Sequence, residues 1–135
     1  VSNPSPVHVR RSAPAKFVAT NARGAEITIG RSQDGADFSP VELLMAALGA
    51  CAGLSADDVV SRRLGSAAPI GVVVEAEKDD EADRLTRAAT RFVLDASSLS
   101  ATDAEPLVTV VRRAVERTCT VSRSVEPGLP VDLTV

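Results

Sequence analysis

Hydrophobic and polar positions in the first third of the chain alternate in short runs. Val7-His-Val-Arg10 alternates strictly, Lys16-Phe-Val-Ala-Thr20 follows Pro14, and Glu26-Ile-Thr-Ile29 follows the polar stretch Asn21-Ala-Arg-Gly24. This period of two predicts three strands, the last two joined as a β-hairpin. Residues 30–38 are polar and turn-like. Ser39-Pro40-Val41-Glu42 then reads as a helix start, with serine as cap, proline in the first turn and Glu42 completing a capping box. Leu43 to Leu54 has no polar side at all, and a helix apolar all round must be covered all round. Polarity returns at Ser55-Ala-Asp-Asp58, and Val59 to Leu64 finishes the helix before Gly65. Ile70–Ala76 and Thr86–Leu94 are strand candidates around a charged segment, Glu77 to Arg84, that reads as a solvated hairpin turn. Ser100-Ala-Thr-Asp103 opens a second helix with Pro106 in its first turn and the apolar stripe Leu107, Val111, Val115 and Cys119. Val131 to Val135 alternates again and predicts a closing strand. The resulting order, β-β-β-α-β-β-α-β, is an α+β fold.

At 135 residues the chain has the length of one domain, taken as residues 1–135, and shows neither repeat nor linker. With 44% hydrophobic and 24% charged residues it has the balance of a folded globular chain. The continuous apolar run falls short of the roughly 20 residues that a bilayer span needs, so no membrane partner is expected. A net charge of −3 argues against a nucleic-acid partner. Only Phe17, Phe38 and Phe92 are aromatic, so alanine, valine and leucine must build a core that buries little area per residue, which favours an oligomer. The N-terminal residues do not read as a secretory signal, and the expected location is cytoplasmic.

In a reducing compartment Cys51 and Cys119 are not expected to form a lasting structural bridge. As free cysteines they read most simply as small buried hydrophobes, one in the apolar helix and one at the end of the second helix's stripe. A metal site lacks support, because His8 is the single histidine and no zinc-type spacing exists. A redox pair needs one activated thiol and a second within disulfide reach, and periodicity does not decide whether the two meet.

The segment Ser39-Pro-Val-Glu-Leu-Leu-Met-Ala-Ala-Leu-Gly-Ala-Cys51, followed by Asp58-Val-Val, resembles the central helix of the OsmC/Ohr superfamily of osmotically inducible and organic hydroperoxide resistance proteins. Val115-Glu-Arg-Thr-Cys-Thr-Val121 is similar to its second cysteine segment, and the resemblance extends over nearly the whole chain from Val7. The Pro-x-Glu-Leu and Gly-Ala-Cys pattern looks closer to the YhfA-like branch. The resemblance implies an OsmC-like fold, an intertwined homodimer in which β-sheets wrap central buried helices. It also implies a thiol peroxidase acting on organic hydroperoxides. Cys51 would be the peroxidatic cysteine, oxidised to a sulfenic acid, and Cys119 the resolving one. The resulting disulfide would be recycled by a dithiol such as dihydrolipoamide, with neither cofactor nor metal.

The family peroxidases further use an arginine near the first hairpin and a glutamate directly after the helix-start proline. Arg23 is the candidate counterpart of the arginine, with Arg10, Arg11 and Arg31 competing for the role. Val41 stands where the glutamate would be. Glu42 comes one position later, about half a turn around the helix from Cys51, and reads as the capping partner of Ser39. This departure keeps two alternatives in view: a non-catalytic protein of the same fold that binds an apolar small molecule, and a dithiol redox sensor.

Overall fold

The computed structural model describes residues 1–135, which form two compact units, Val1–Leu44 and Met45–Val135. The first unit holds an antiparallel sheet in the order β1-β2-β3, with β1 at His8–Ala13, β2 at Lys16–Thr20 and β3 at Glu26–Gly30. The turn at Pro14-Ala15 makes β1 and β2 a hairpin as well, so β1 runs three residues past the sequence expectation. Val18 and Ala19 of β2 are the buried side chains of this unit. Asp37 ties the following segment back to β3: its carboxylate accepts the Thr28 N–H at 3.0 Å and its own N–H donates to Thr28 Oγ1 at 2.9 Å.

Helix α1 spans Pro40–Leu64. Its start is the capping box that the sequence predicts. The Glu42 N–H donates to Ser39 Oγ at 3.2 Å, and the Glu42 carboxylate accepts the Ser39 N–H at 2.8 Å. At 25 residues α1 is long and apolar enough to match a membrane span by length and composition, more than the run Leu43–Leu54 suggested. Its Ala56 and Val60 are instead packed with Leu107 and Val111 in the core of the second unit, as in a core helix of a globular protein.

That core sits over one face of a two-stranded antiparallel sheet, β4 at Ile70–Asp79 and β5 at Arg84–Leu94. Val72, Val74 and Ala76 of β4 turn inward while Val73, Glu75 and Glu77 face out, the alternation of a half-covered strand. Lys78 closes the turn by pairing with Asp83 at 2.8 Å and Asp80 at 3.5 Å. Both strands therefore reach further into the charged segment than the sequence pattern indicated. The glycines of α1 have a packing reason. A Cβ on Gly49 would come within 3.0 Å of a Val74 methyl, and one on Gly53 within 3.7 Å of a Val72 methyl. The helix lies directly on the sheet at this point.

Helix α2, Ala101–Thr118, is capped by Ser100, whose hydroxyl accepts the Asp103 N–H at 3.2 Å. Three sequence expectations are corrected here. Pro106 lies in the second turn rather than the first, on the exposed side, where its missing N–H leaves one carbonyl to solvent. Cys119 does not continue the helix stripe; it is the capping residue between α2 and a short helix α3, Thr120–Val125, that the pattern did not suggest. The closing strand Val131–Val135 does not form. A strand needs an edge to pair with, and within this chain none takes these residues, which are fully exposed.

Four substitutions test this packing and capping. Gly53→Ala gains helix propensity at ordinary van der Waals distance and stabilises the protein by up to about 1 kcal/mol. Gly49→Ala presses on Val74, a side chain stiff at χ1, and gives a net loss of about 1 kcal/mol, so equal effects in urea melts would refute the close approach. Ser39→Ala costs about 1 kcal/mol as a lost cap. The Ser39 amide and hydroxyl hold Glu42 below the usual carboxylate range, against the opposing effect of desolvation. The charged form thus contributes stability that is fully present above the unfolded carboxylate pKa and lost as pH falls through the lowered folded value. The deficit of Glu42→Gln relative to the parent should therefore shrink on acidification; a pH-independent deficit would contradict the capping role.

Candidate functional site

The second unit brings the two cysteines together. Cys51 projects from the middle of α1, Cys119 sits at the α2–α3 junction, and the Cys51 side chain is one of the groups that bear on the Cys119 thiol. Both are free thiols, Cys51 half-buried and Cys119 completely buried. Two neighbouring thiols on separate helical segments are the starting point for reversible disulfide formation. The partners are far apart in sequence and no local spacing announces them.

Their surroundings differ. At about 100° per residue, Leu44, Ala47, Cys51 and Leu54 share one side of α1. Leu44 and Leu54 of that side remain 40% and 79% exposed, so Cys51 opens onto an apolar strip. Cys119 meets polar groups instead. Burial pushes its thiol up, but the Ser122 hydroxyl and amide, the Cys51 thiol and the Val121 amide outweigh burial and hold it below the ordinary cysteine range. This favours the thiolate, the form that attacks sulfur.

The other candidates lie in the first unit. Arg23 lies in the turn after β2, where its N–H donates to Asn21 Oδ1 at 3.0 Å. Its guanidinium has no carboxylate partner, and neither does that of Arg11. Arg10 pairs with Glu26 at 3.2 Å and Arg31 with Asp34 at 2.9 Å, which commits both elsewhere. Glu42 is committed to the cap described above. Sequence reasoning missed Ser122. Its signal was its position three residues after Cys119, the spacing of a first-turn contact to a capping residue, but the helix it belongs to was not foreseen.

Within the second unit a groove of about 610 Å³ runs between β5 and α2, floored by Phe92, Leu107 and Val111.

An α+β chain that brings a cysteine of its long helix near a second one at the junction of two others is the class of protein that this geometry defines. The sequence profile of the OsmC-like proteins matches residues 33–134, and the chain belongs to that family. It is 35% identical over 127 residues to an uncharacterized protein of Mycobacterium tuberculosis strain H37Rv, covering 94% of this chain and 93% of that one. Three solved structures share the fold. A hypothetical protein from Aquifex aeolicus has a TM-score of 0.72 at 19% identity, covering 95% of this chain and 91% of its own. An OsmC-like protein from Mycoplasma pneumoniae has a TM-score of 0.69 at 14% identity, with both chains covered completely. The organic hydroperoxide resistance protein OhrB of Bacillus subtilis has a TM-score of 0.60 at 19% identity over 98% of both chains.

The contact between the thiols has a direct check. Diamide should convert the reduced protein to an intramolecular Cys51–Cys119 disulfide, seen as a faster-migrating monomer on a non-reducing gel and lost in Cys119→Ser. Exclusively intermolecular bridges, or two surviving free thiols, would contradict the geometry.

Proposed function

We propose that the protein is a cysteine-based thiol peroxidase that reduces organic hydroperoxides. The observation that carries this reading is the contact between a half-exposed Cys51 and a buried Cys119 in a family that includes organic hydroperoxide resistance proteins. In this reading the less buried Cys51 is the thiol that the hydroperoxide meets first. The Cys51 thiolate attacks the terminal peroxide oxygen, the O–O bond breaks, and the alkoxide leaves as the alcohol after taking up a proton. Cys51 is then a sulfenic acid. Cys119, already in contact, condenses with it to a disulfide and releases water, which protects Cys51 from irreversible oxidation. A dithiol of the dihydrolipoamide kind returns both thiols by exchange. None of these steps draws on a metal or cofactor. Arg23 is the arginine proposed to act on the Cys51 thiolate.

The same reading includes a cytoplasmic homodimer. The apolar strip of α1 around Cys51 is uncovered in one chain, and Val131, Leu133 and Val135 are more than four-fifths exposed. A second copy of the chain supplies cover for both, in the manner of the intertwined dimer that the sequence suggests.

A second reading, a non-catalytic protein that binds an apolar small molecule, has one observation in its favour. Glu42, the acidic residue at the helix start, is taken up by the Ser39 amide, which leaves Val41 at the position where the peroxidases carry a glutamate.

The deciding experiment adds one equivalent of cumene hydroperoxide to the reduced protein, followed by dihydrolipoamide, with free thiols and intact mass followed throughout. Loss of both thiols as a Cys51–Cys119 disulfide and their recovery with the dithiol are expected. Cys51→Ser should abolish hydroperoxide consumption, and Cys119→Ser should stop after a single oxidation. Two thiols that stay reduced would sink the peroxidase and bring the binding protein forward.

A further inference from the structure

Beside the core stripe of α2 runs a second line of residues at the same helical step, Ala104, Val108, Arg112 and Glu116. The core stripe is closed, with Leu107 2% and Val111 6% exposed. Val108, one position round the helix, stays 60% exposed, an apolar side chain that the core does not use. This second line forms one wall of the groove of about 610 Å³, and β5 forms the other. Phe92 and Leu94 of β5 pack against the core and floor the space between the walls. The volume falls in the range of small-molecule sites, roughly 300–1,000 Å³. From Ala104 to Glu116 the helical wall is about 18 Å long, the reach of an extended hydrocarbon chain rather than of a compact ring system.

The groove is not uniform along its length. The short connection after Leu94 returns the chain directly to the start of α2, so Leu94 and Ala96 share an apolar end with Ala104. Away from that end the lining turns polar, with Arg112 on the α2 wall and Arg91 on the free edge of β5. Arg10, Arg31, Arg62 and Arg87 all have carboxylate partners, but Arg91 and Arg112 enter none of the chain's ion pairs. Glu116, one turn after Arg112, is unpaired as well. A groove that is apolar at one end and carries uncommitted guanidinium groups at the other is complementary to a hydrocarbon chain with an anionic head. A carboxylate matches the guanidinium fork by accepting two parallel N–H bonds. With two positive groups and one negative beside it, the polar end balances a single negative charge and disfavours a dianion.

We propose that the groove between β5 and α2 is a binding site for a free medium-chain aliphatic carboxylate, with its tail over Phe92, Leu107 and Val108 and its head at Arg112 and Arg91. Neither Cys51 nor Cys119 lines the groove, so the acid is held without reacting. The site is therefore separate from the apolar strip around Cys51 and does not rest on the peroxidase reading.

The test titrates the intact reduced protein with sodium decanoate by calorimetry, below the concentration at which decanoate forms micelles. Saturable binding of one decanoate per chain is expected. Decanol, which lacks the charged head, and acetate, which lacks the tail, should each bind at least about tenfold more weakly. Arg112→Gln should weaken decanoate roughly tenfold, the loss expected for a charge-assisted hydrogen bond, and leave decanol unchanged. Glu116→Gln should tighten decanoate by removing a like charge. Val108→Asp puts a charge in the groove at an exposed position, where the fold is not at risk, and should abolish binding. Equal affinity for decanoate and decanol, or binding that survives both Arg112→Gln and Val108→Asp, would overturn the proposal. So would tighter binding of decyl phosphate, or binding to phosphatidylglycerol vesicles without binding to free decanoate. The Cys51→Ser protein should bind decanoate as the parent does, and a loss there would move the acid to the α1 strip and overturn the groove. No hydroperoxide enters these titrations, so a protein without peroxidase activity still reports on the groove.

Discussion

Helix α1 has no polar side, and much of the structure follows from the need to cover it. One side lies on β4 so closely that a Cβ at position 49 would press on a Val74 methyl. Another, through Ala56 and Val60, receives Leu107 and Val111 of α2. The chain is too small and too poor in aromatic side chains to cover the rest, so the strip through Leu44, Ala47 and Leu54 stays open. Cys51 is on that open side. Covering the helix incompletely places a thiol at the border between core and surface, where it is both held in place and reachable.

The second thiol is placed by the opposite device. Cys119 is fully buried, an environment that opposes the thiolate, yet it sits where two helices meet and unsatisfied donors are concentrated. A capping position has amides with no intrahelical partner, and Ser122 adds a hydroxyl. Burial and activation, which usually exclude each other, are reconciled because the neighbours are polar groups of the junction itself. The difference between a half-buried cysteine and a fully buried one follows from where each lies, on a helix side and on a helix end.

The groove between β5 and α2 lies along the same apolar stripe that ends at Val115, whose carbonyl accepts the Cys119 N–H. The core that fixes Cys119 and the surface beside it are therefore built from the same few residues of α2. A change in the packing of Leu107 or Val111 would be felt at the thiol through the helix that carries it.

The sequence by itself determined the local elements. The capping box at Ser39, the cap at Ser100, the strand runs of β2, β3 and β4 and the apolar run of α1 are interactions among residues a few positions apart, so their signals are continuous in the chain. The cysteine segments also pointed to the family. Only the tertiary structure decided that Cys51 and Cys119 meet, because sixty-odd residues and a β-hairpin separate them and no periodicity encodes that distance. It likewise decided that Cys119 ends one helix and begins another, which made Ser122 its neighbour. The tail Val131–Val135 shows the limit from the other side. Its alternation is the pattern of a strand, but a strand exists only where another edge pairs with it, and this chain alone provides none.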